Sequence, residues 1–287
     1  MPVLVVASAE PRAGRSLIAA ATAYRLGRDG RPVTLARLAG DHSAAPDAAT
    51  FAALECVNAP ATPLTADEAA ALTGDVVLEA PPGSVRAIAA ALSARVLAVG
   101  APGSPAIDAS ADSLAGRVVT HAPQGSITDV ASARGAVVVL PEDYVLAAPS
   151  VADIVAALDA EWLAGAERSY AIDRVMIGTV ASDAASPYFG ERRRTCVITR
   201  FDKTDIQLAA LLTDLQCLVL TGGGAPSPFL LDRVANEDVA VVRTNSSTVD
   251  AMRAVEGLYA RSRFDGESKM MRAVELLDAA GFATPAF

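Results

Sequence analysis

Val3-Leu-Val-Val-Ala-Ser-Ala-Glu-Pro-Arg-Ala-Gly-Arg-Ser16 joins an apolar run, a polar turn and the start of a helical pattern. Val3 to Ala7 is a short apolar run of the kind that forms a fully buried strand. Ser8 to Gly14 is a polar, Gly-containing turn. From Arg15-Ser16 onward Leu17, Ile18, Ala20, Ala21 and Tyr24 recur at helical spacing. Strand, short loop and helix start form the context in which a phosphate-binding loop has meaning, because successive amide groups and the helix dipole then face one anion. The usual pattern is G-x-x-x-x-G-K-[ST]. Here it reads Ala9-Glu10-Pro11-Arg12-Ala13-Gly14-Arg15-Ser16: the second glycine and the hydroxyl are kept, the first glycine is alanine and the lysine is arginine. A lysine is a compact point charge, whereas a guanidinium is planar and wide. Arg15 therefore points to weakened or lost turnover.

Val33–Leu38, Asp75–Glu79, Arg95–Val99, Arg117–Thr120 and Val137–Leu140 read as further strands. Helical patches fall near Ala48–Val57 and Ala66–Leu72, and an amphipathic helix spans Ser150–Leu163. Apolar strands alternating with helices predict an α/β fold, a mainly parallel sheet with helices on both faces. Near Gly165–Ser169 the rhythm resets. Val175–Val180, Thr195–Thr199, Cys217–Thr221 and Val239–Arg243 read as strands, with helices at Thr204–Asp214, Pro226–Asn236 and Ser247–Ala260 between them. A terminal helix covers Glu267–Ala279. The expected domains are 1–165, a second, smaller α/β domain over 166–262, and a helix and tail over 263–287.

With 52% apolar and 20% charged residues in 287, the chain can build a sizeable core and is not of the disordered class. A net charge of −9 argues against a broad nucleic-acid or anionic-membrane surface. Cys56, Cys196 and Cys217 have no metal or redox spacing, and no apolar run reaches the roughly 20 residues of a membrane span. Reduced core thiols and the absence of an evident signal peptide point to the cytoplasm. Only Lys203 and Lys269 are lysines among 24 basic residues, a sequence-wide bias that favours arginine where lysine is not essential.

Two sets of residues carry resemblances. Ser8 to Ser16, Arg37-Leu38-Ala39-Gly40 and Asp75-Val-Val-Leu-Glu79-Ala-Pro-Pro-Gly83 resemble the dethiobiotin-synthetase-like P-loop family, which tends to have Lys-Pro-x-x-Gly at the second position and Asp-x-x-x-Glu-Gly-x-Gly at the third. The second half resembles the DRTGG domain: Thr221-Gly222-Gly223 is intact, and Asp202-Lys203 stands at the Asp-Arg position. Leu140-Pro141-Glu142-Asp143 and Ile177-Gly178-Thr179 fit the joint pattern. This order resembles the N-terminal, non-catalytic half of long phosphate acetyltransferases (the phosphotransacetylase family). The acyl-transfer domain is absent from the sequence, so what the resemblance implies is regulation and assembly. It also implies a homodimer through the DRTGG domain and a partner enzyme of acyl-phosphate or acetyl-CoA metabolism.

For the nucleotide or phosphate site the candidates are Glu10, Arg12, Ala13, Gly14, Arg15, Ser16 and Arg37, with Arg12, Arg15 and Arg37 as a converging anion clamp. ATP or ADP with Mg²⁺ is the implied cofactor set, and Ser16 and Glu79 are the Mg²⁺ candidates, with Asp41 a weaker one. Glu79 ends a buried strand at the carboxyl edge, where α/β sheets bind ligands; Asp75 begins it and is expected to be structural. A pocket at the DRTGG motif would gather Asp202, Lys203, Thr221, Gly222, Gly223, Thr244 and Thr248, with the glycine amides as an anion nest. No catalytic residue is assigned, since His42 and His121 lack partners at catalytic spacing, and the reading leans away from an enzyme. The expected function is regulatory ligand sensing or assembly; the alternatives are an ATP-dependent ligase or kinase and a ligand-free dimerisation scaffold.

Overall fold

The computed structural model describes residues 2–28, 30–124, 136–165, 172–235, 237–259 and 261–285. The chain begins β1 (Val3–Ala7), α1 (Arg15–Arg28), β2 (Val33–Arg37), α2 (Ala44–Ala52), α3 (Ala66–Ala70) and β3 (Asp75–Glu79). It continues α4 (Val85–Leu92), β4 (Arg95–Gly100), β5 (Leu114–Ala122) and β6 (Ala136–Pro141). Then follow α5 (Tyr144–Ala147), α6 (Val151–Leu158), β7 (Glu161–Ala164), β8 (Arg174–Ile177), α7 (Ser182–Gly190) and β9 (Thr195–Arg200). The last elements are α8 (Thr204–Leu211), β10 (Leu215–Thr221), α9 (Pro228–Val234), β11 (Ala240–Arg243), α10 (Thr248–Tyr259) and α11 (Glu267–Ala279).

The first unit comprises Met1–Glu142 with Phe264–Phe287. Its six strands lie in the order β2-β3-β1-β4-β5-β6, all parallel. A central strand such as β1 is buried throughout, which is why it reads as an unbroken apolar run. Val3, Val5, Val76, Leu78 and Val96 pack on one face against Ala69 of α3 and Val85 and Ala89 of α4. On the other face lies α1, whose Ala19, Ala20, Ala21 and Ala23 are buried. Small side chains let that helix approach the sheet and α11 closely.

The second unit is Asp143–Arg263. Its sheet runs β7-β11-β10-β9-β8, parallel except for β7, which pairs antiparallel with β11. One face packs against Phe189 of α7, Ile206 and Ala210 of α8 and Leu230 of α9. The other packs against Val151, Ile154 and Leu158 of α6 and Ala251 and Val255 of α10. The mixed α/β, helix-flanked architecture is the one expected.

The boundaries differ from the sequence reading. The division falls after residue 142 rather than 165, and residues 264–287 fold with the first unit instead of forming a separate tail. The cause is pairing. The expected helix Ser150–Leu163 starts with a Ser150–Asp153 capping box but stops at Leu158, where Asp159 is left-handed (φ 46). The chain then turns into β7, with Trp162 opposite Val242. At the other end α11 lies along α1, and Arg25 donates to the Phe282 carbonyl at 2.6 Å. Helix α7 was not expected, because Pro187 inside it reads as a breaker. Asn236, Ala260 and part of Gly165–Ser169 lie outside the described residues.

Candidate functional site

The loop between β1 and α1 is held in shape by its own groups. Ser8 Oγ donates to the Glu10 carbonyl at 2.6 Å, and Arg12 (φ 59) and Gly14 (φ 83) take the left-handed conformation. Thr120 Oγ1, on β5, donates to the Ala13 carbonyl at 2.8 Å, and a Cβ on Gly14 would stand 3.4 Å from the Thr120 methyl. The loop is thus pinned from behind. Among the described residues none of the backbone N–H groups of Glu10 and of Arg12 to Leu17 finds a hydrogen-bond partner, and they open at the start of a 14-residue helix. That is the physical requirement for holding an anion.

The side chains are arranged differently from the expected clamp. Arg15 is buried and turned back to the sheet edge: its Nη1 donates to the Ala80 carbonyl at 2.8 Å, its Nε lies 3.5 Å from Glu79 Oε1, and its Nη2 lies 3.7 Å from Asp41 Oδ2. Arg37 is fully buried. It donates from Nη2 to both Asp41 oxygens at 2.6 and 2.7 Å and from Nη1 to the Leu38 carbonyl at 2.6 Å. Its Nε lies 3.3 Å from Asp47 Oδ2 and 3.6 Å from Glu79 Oε2. Arg12 is exposed and joins neither. The three arginines do not converge on the loop, because Asp41, Asp47 and Glu79 draw two of them inward. Glu10 offers only its amide, since its carboxylate accepts from Ser104 Oγ at 2.7 Å.

Ser16 Oγ donates to Glu79 Oε1 at 3.1 Å, so the two Mg²⁺ candidates do meet. Burial pushes the Glu79 carboxyl up to about 7 against the pull of Arg37 and Arg15. Burial also lowers Arg15 from its ordinary value, with Glu79 opposing. Asp41 is pushed up by burial, but its hydrogen bonds and charge pairing with Arg37 win and hold it below its ordinary value. A divalent cation does not fit this arrangement: guanidinium nitrogens stand 3.5 and 3.6 Å from the two Glu79 oxygens, where like charge would repel it. Among the described residues no group of three or more His, Cys, Asp or Glu side chains could hold a metal ion. Asp75, 3.8 Å from Arg31, sits at the far end of β3. Thr120, Ser104 and Asp47 were missed; a threonine at the carboxyl end of a buried parallel strand is the one signal that could have drawn notice.

In the second unit Thr221 Oγ1 lies 2.7 Å from Thr248 Oγ1 and donates to the Thr199 carbonyl at 3.2 Å. Thr244 Oγ1 donates to the Leu158 carbonyl at 2.8 Å. The amides of Gly222 and Gly223 donate to the Ser246 and Thr244 carbonyls at 2.9 and 3.1 Å. These two amides therefore tie the end of β10 to the turn after β11 and are not offered to an anion, contrary to the nest reading. Gly223 has φ 71, and a Cβ there would stand 2.5 Å from Asn245 Oδ1. Asp202 pairs with Arg200 at 2.7 Å, and Asp202 and Lys203 are exposed at the start of α8.

Residues 153–258 match the family model described as the DRTGG domain. Among solved structures, 40% of the chain is similar to the crystal structure of the CBS and DRTGG domains of the regulatory region of Clostridium perfringens pyrophosphatase, complexed with its activator diadenosine tetraphosphate. The identity is 20% and the TM-score 0.35, and the match spans 50% of that chain, about half its length. Among the described residues no helix is long and apolar enough to cross a membrane.

Proposed function

We propose that this chain is a regulatory, ligand-sensing protein in which a degenerate P-loop, dethiobiotin-synthetase-like unit holds a phosphorylated anion without efficient turnover. ATP or ADP is the first ligand to test, and the DRTGG unit carries self-assembly as a homodimer. One observation supports the reading above others: the loop from Glu10 to Leu17 presents unpaired amides at a helix start, while the cation at its lysine position is committed to Glu79, Asp41 and Ala80. The loop can bind phosphate through its backbone, yet the charge that would stabilise phosphoryl transfer is spent inside the protein. The strand order β2-β3-β1-β4-β5, with the loop following the central strand, supports the P-loop part of the reading.

Calorimetric titration of the full chain with ATP, ADP and GTP, with and without Mg²⁺, tests this. Saturable nucleotide binding that barely changes when Mg²⁺ is removed is the expected result; no binding of any of the three overturns the anion-binding half. Light scattering of the same sample tests the homodimer.

A further inference from the structure

The crossover between β4 and β5, residues 101–113, contains no helix. Parallel strands are normally joined by a helix that covers the sheet. Here Pro102, Gly103 and Pro105 keep the connection irregular, and Ile107 and Ala109 reach the sheet face shared with Val96. The space a helix would fill is left as a cavity of about 120 Å³. Its walls are mostly apolar: Ala98, Val99, Pro105, Ile107, Ala109 and Leu114.

One cation lines it. Arg117 stands opposite Ala98 in the β4–β5 register and rises from the same face. Its Nη2 lies beside Gly100, 3.8 Å from where a Cβ on that glycine would stand. Among the described residues Arg117 has no ion-pair or hydrogen-bond partner. The acids nearby are engaged elsewhere or exposed: Asp108 is bound to Arg86 at 2.7 Å, Glu10 accepts from Ser104, and Asp112 faces solvent. A half-buried guanidinium at an apolar wall is short of a partner, and a planar carboxylate matches its fork. The cavity is close to the roughly 150 Å³ that admits benzene in an engineered apolar core, which sets a body of about three to five carbons.

We propose that this cavity is a binding site for a short aliphatic carboxylate, its head group on Arg117 and its alkyl chain against Ile107 and Leu114. The site is separate from the Gly14 loop, so its failure leaves the nucleotide reading untouched.

Ligand-observed NMR on the full chain with butyrate, butyramide and inorganic phosphate tests it. Saturable butyrate binding in the millimolar range is expected, at least about tenfold weaker for butyramide and for Arg117→Gln, the effect of losing one charge-assisted contact. Phosphate should not displace butyrate, because it gains nothing from the apolar walls. Butyramide equal to butyrate, unchanged binding in Arg117→Gln, displacement by phosphate, or no saturable butyrate binding would each overturn the proposal. Should Arg117→Gln fail to fold, Ala106→Trp fills the exposed mouth and keeps the arginine. Butyrate binding should vanish there, and unchanged binding would overturn it equally.

Discussion

Arg15 Nε lies 3.5 Å from Glu79 Oε1, with both side chains buried at the carboxyl edge of the first sheet. Sixty-odd residues of chain separate them, and the parallel register of β1 with β3 brings them together by placing Val6 beside Glu79. Arg15 begins α1 and Glu79 ends β3. Here each occupies the other. Ser16 and Arg37 complete the enclosure of Glu79, and Asp41 and Asp47 balance the arginines from the far side.

That enclosure has a pH signature. The Glu79 carboxyl is raised from an ordinary 4.5 to about 7, so between those values the native state keeps a proton that the unfolded chain has released. Stability from this group is therefore fully present below about pH 4.5 and declines as pH rises to 7, by on the order of 3 kcal/mol. Asp41, held low, acts in the opposite sense and only in more acid solution. Urea denaturation from pH 5 to 8 should show the decline in the wild type, with a flatter profile in Glu79→Gln. Identical profiles would mean that Glu79 does not titrate in this window.

Arg37 is the other half of the same balance. It is fully buried and serves Asp41, Asp47, Glu79 and the Leu38 carbonyl together. Arg37→Met keeps the volume but leaves buried carboxylates without their cation, a loss of about 3–5 kcal/mol at pH 7. The loss should shrink toward pH 5, as Glu79 takes up its proton. Chemical denaturation at both pH values reads it; a variant as stable as the wild type would show that water already serves those carboxylates.

The sheets and the position of Glu79 were legible because buried parallel strands announce themselves as apolar runs, and the residue that ends one must stand at the ligand edge. The fate of Arg15 was not. Its partner Asp41 comes from the turn after β2, and nothing in the spacing says that this turn folds back to the start of α1. The helix from Ser150 was overextended because Val151, Ile154, Val155 and Leu158 share one face with Leu163. The stop is made by Asp159 in a left-handed conformation, without the glycine that usually signals one. The Thr-Gly-Gly turn was legible as a turn, but not the carbonyls of Thr244 and Ser246 that consume its amides.

Gly178, in the second unit, stands where a larger side chain has little room. A Cβ on Gly178 would stand 2.9 Å from both Thr199 Cβ and Ile206 Cγ2. Thr199 cannot step aside, because it is buried and its Oγ1 donates to the Gly178 carbonyl at 3.1 Å. Gly178→Ala should cost about 1–3 kcal/mol, the range for overpacking a filled core. Thermal unfolding measures it, and a variant with an unshifted midpoint would show that β8 is free to move away from β9.

The sharpest test concerns turnover. Efficient phosphoryl transfer needs a cation on the departing charge and, in most cases, a metal ion beside it. Arg15 is held at three points by Glu79, Asp41 and the Ala80 carbonyl, and the Ser16–Glu79 pair is flanked by two guanidinium groups. Phosphate release from ATP by the wild type should therefore lie at least about a thousandfold below the 10 s⁻¹ common among enzymes. Arg15→Ala should leave that low rate unchanged, because a side chain already withdrawn has nothing to lose. Arg15→Lys should stay slow as well, since a new lysine meets the same Glu79 and no metal site. Vigorous release by the wild type that disappears in Arg15→Ala would place the guanidinium on the phosphates and make the chain an ATP-dependent enzyme.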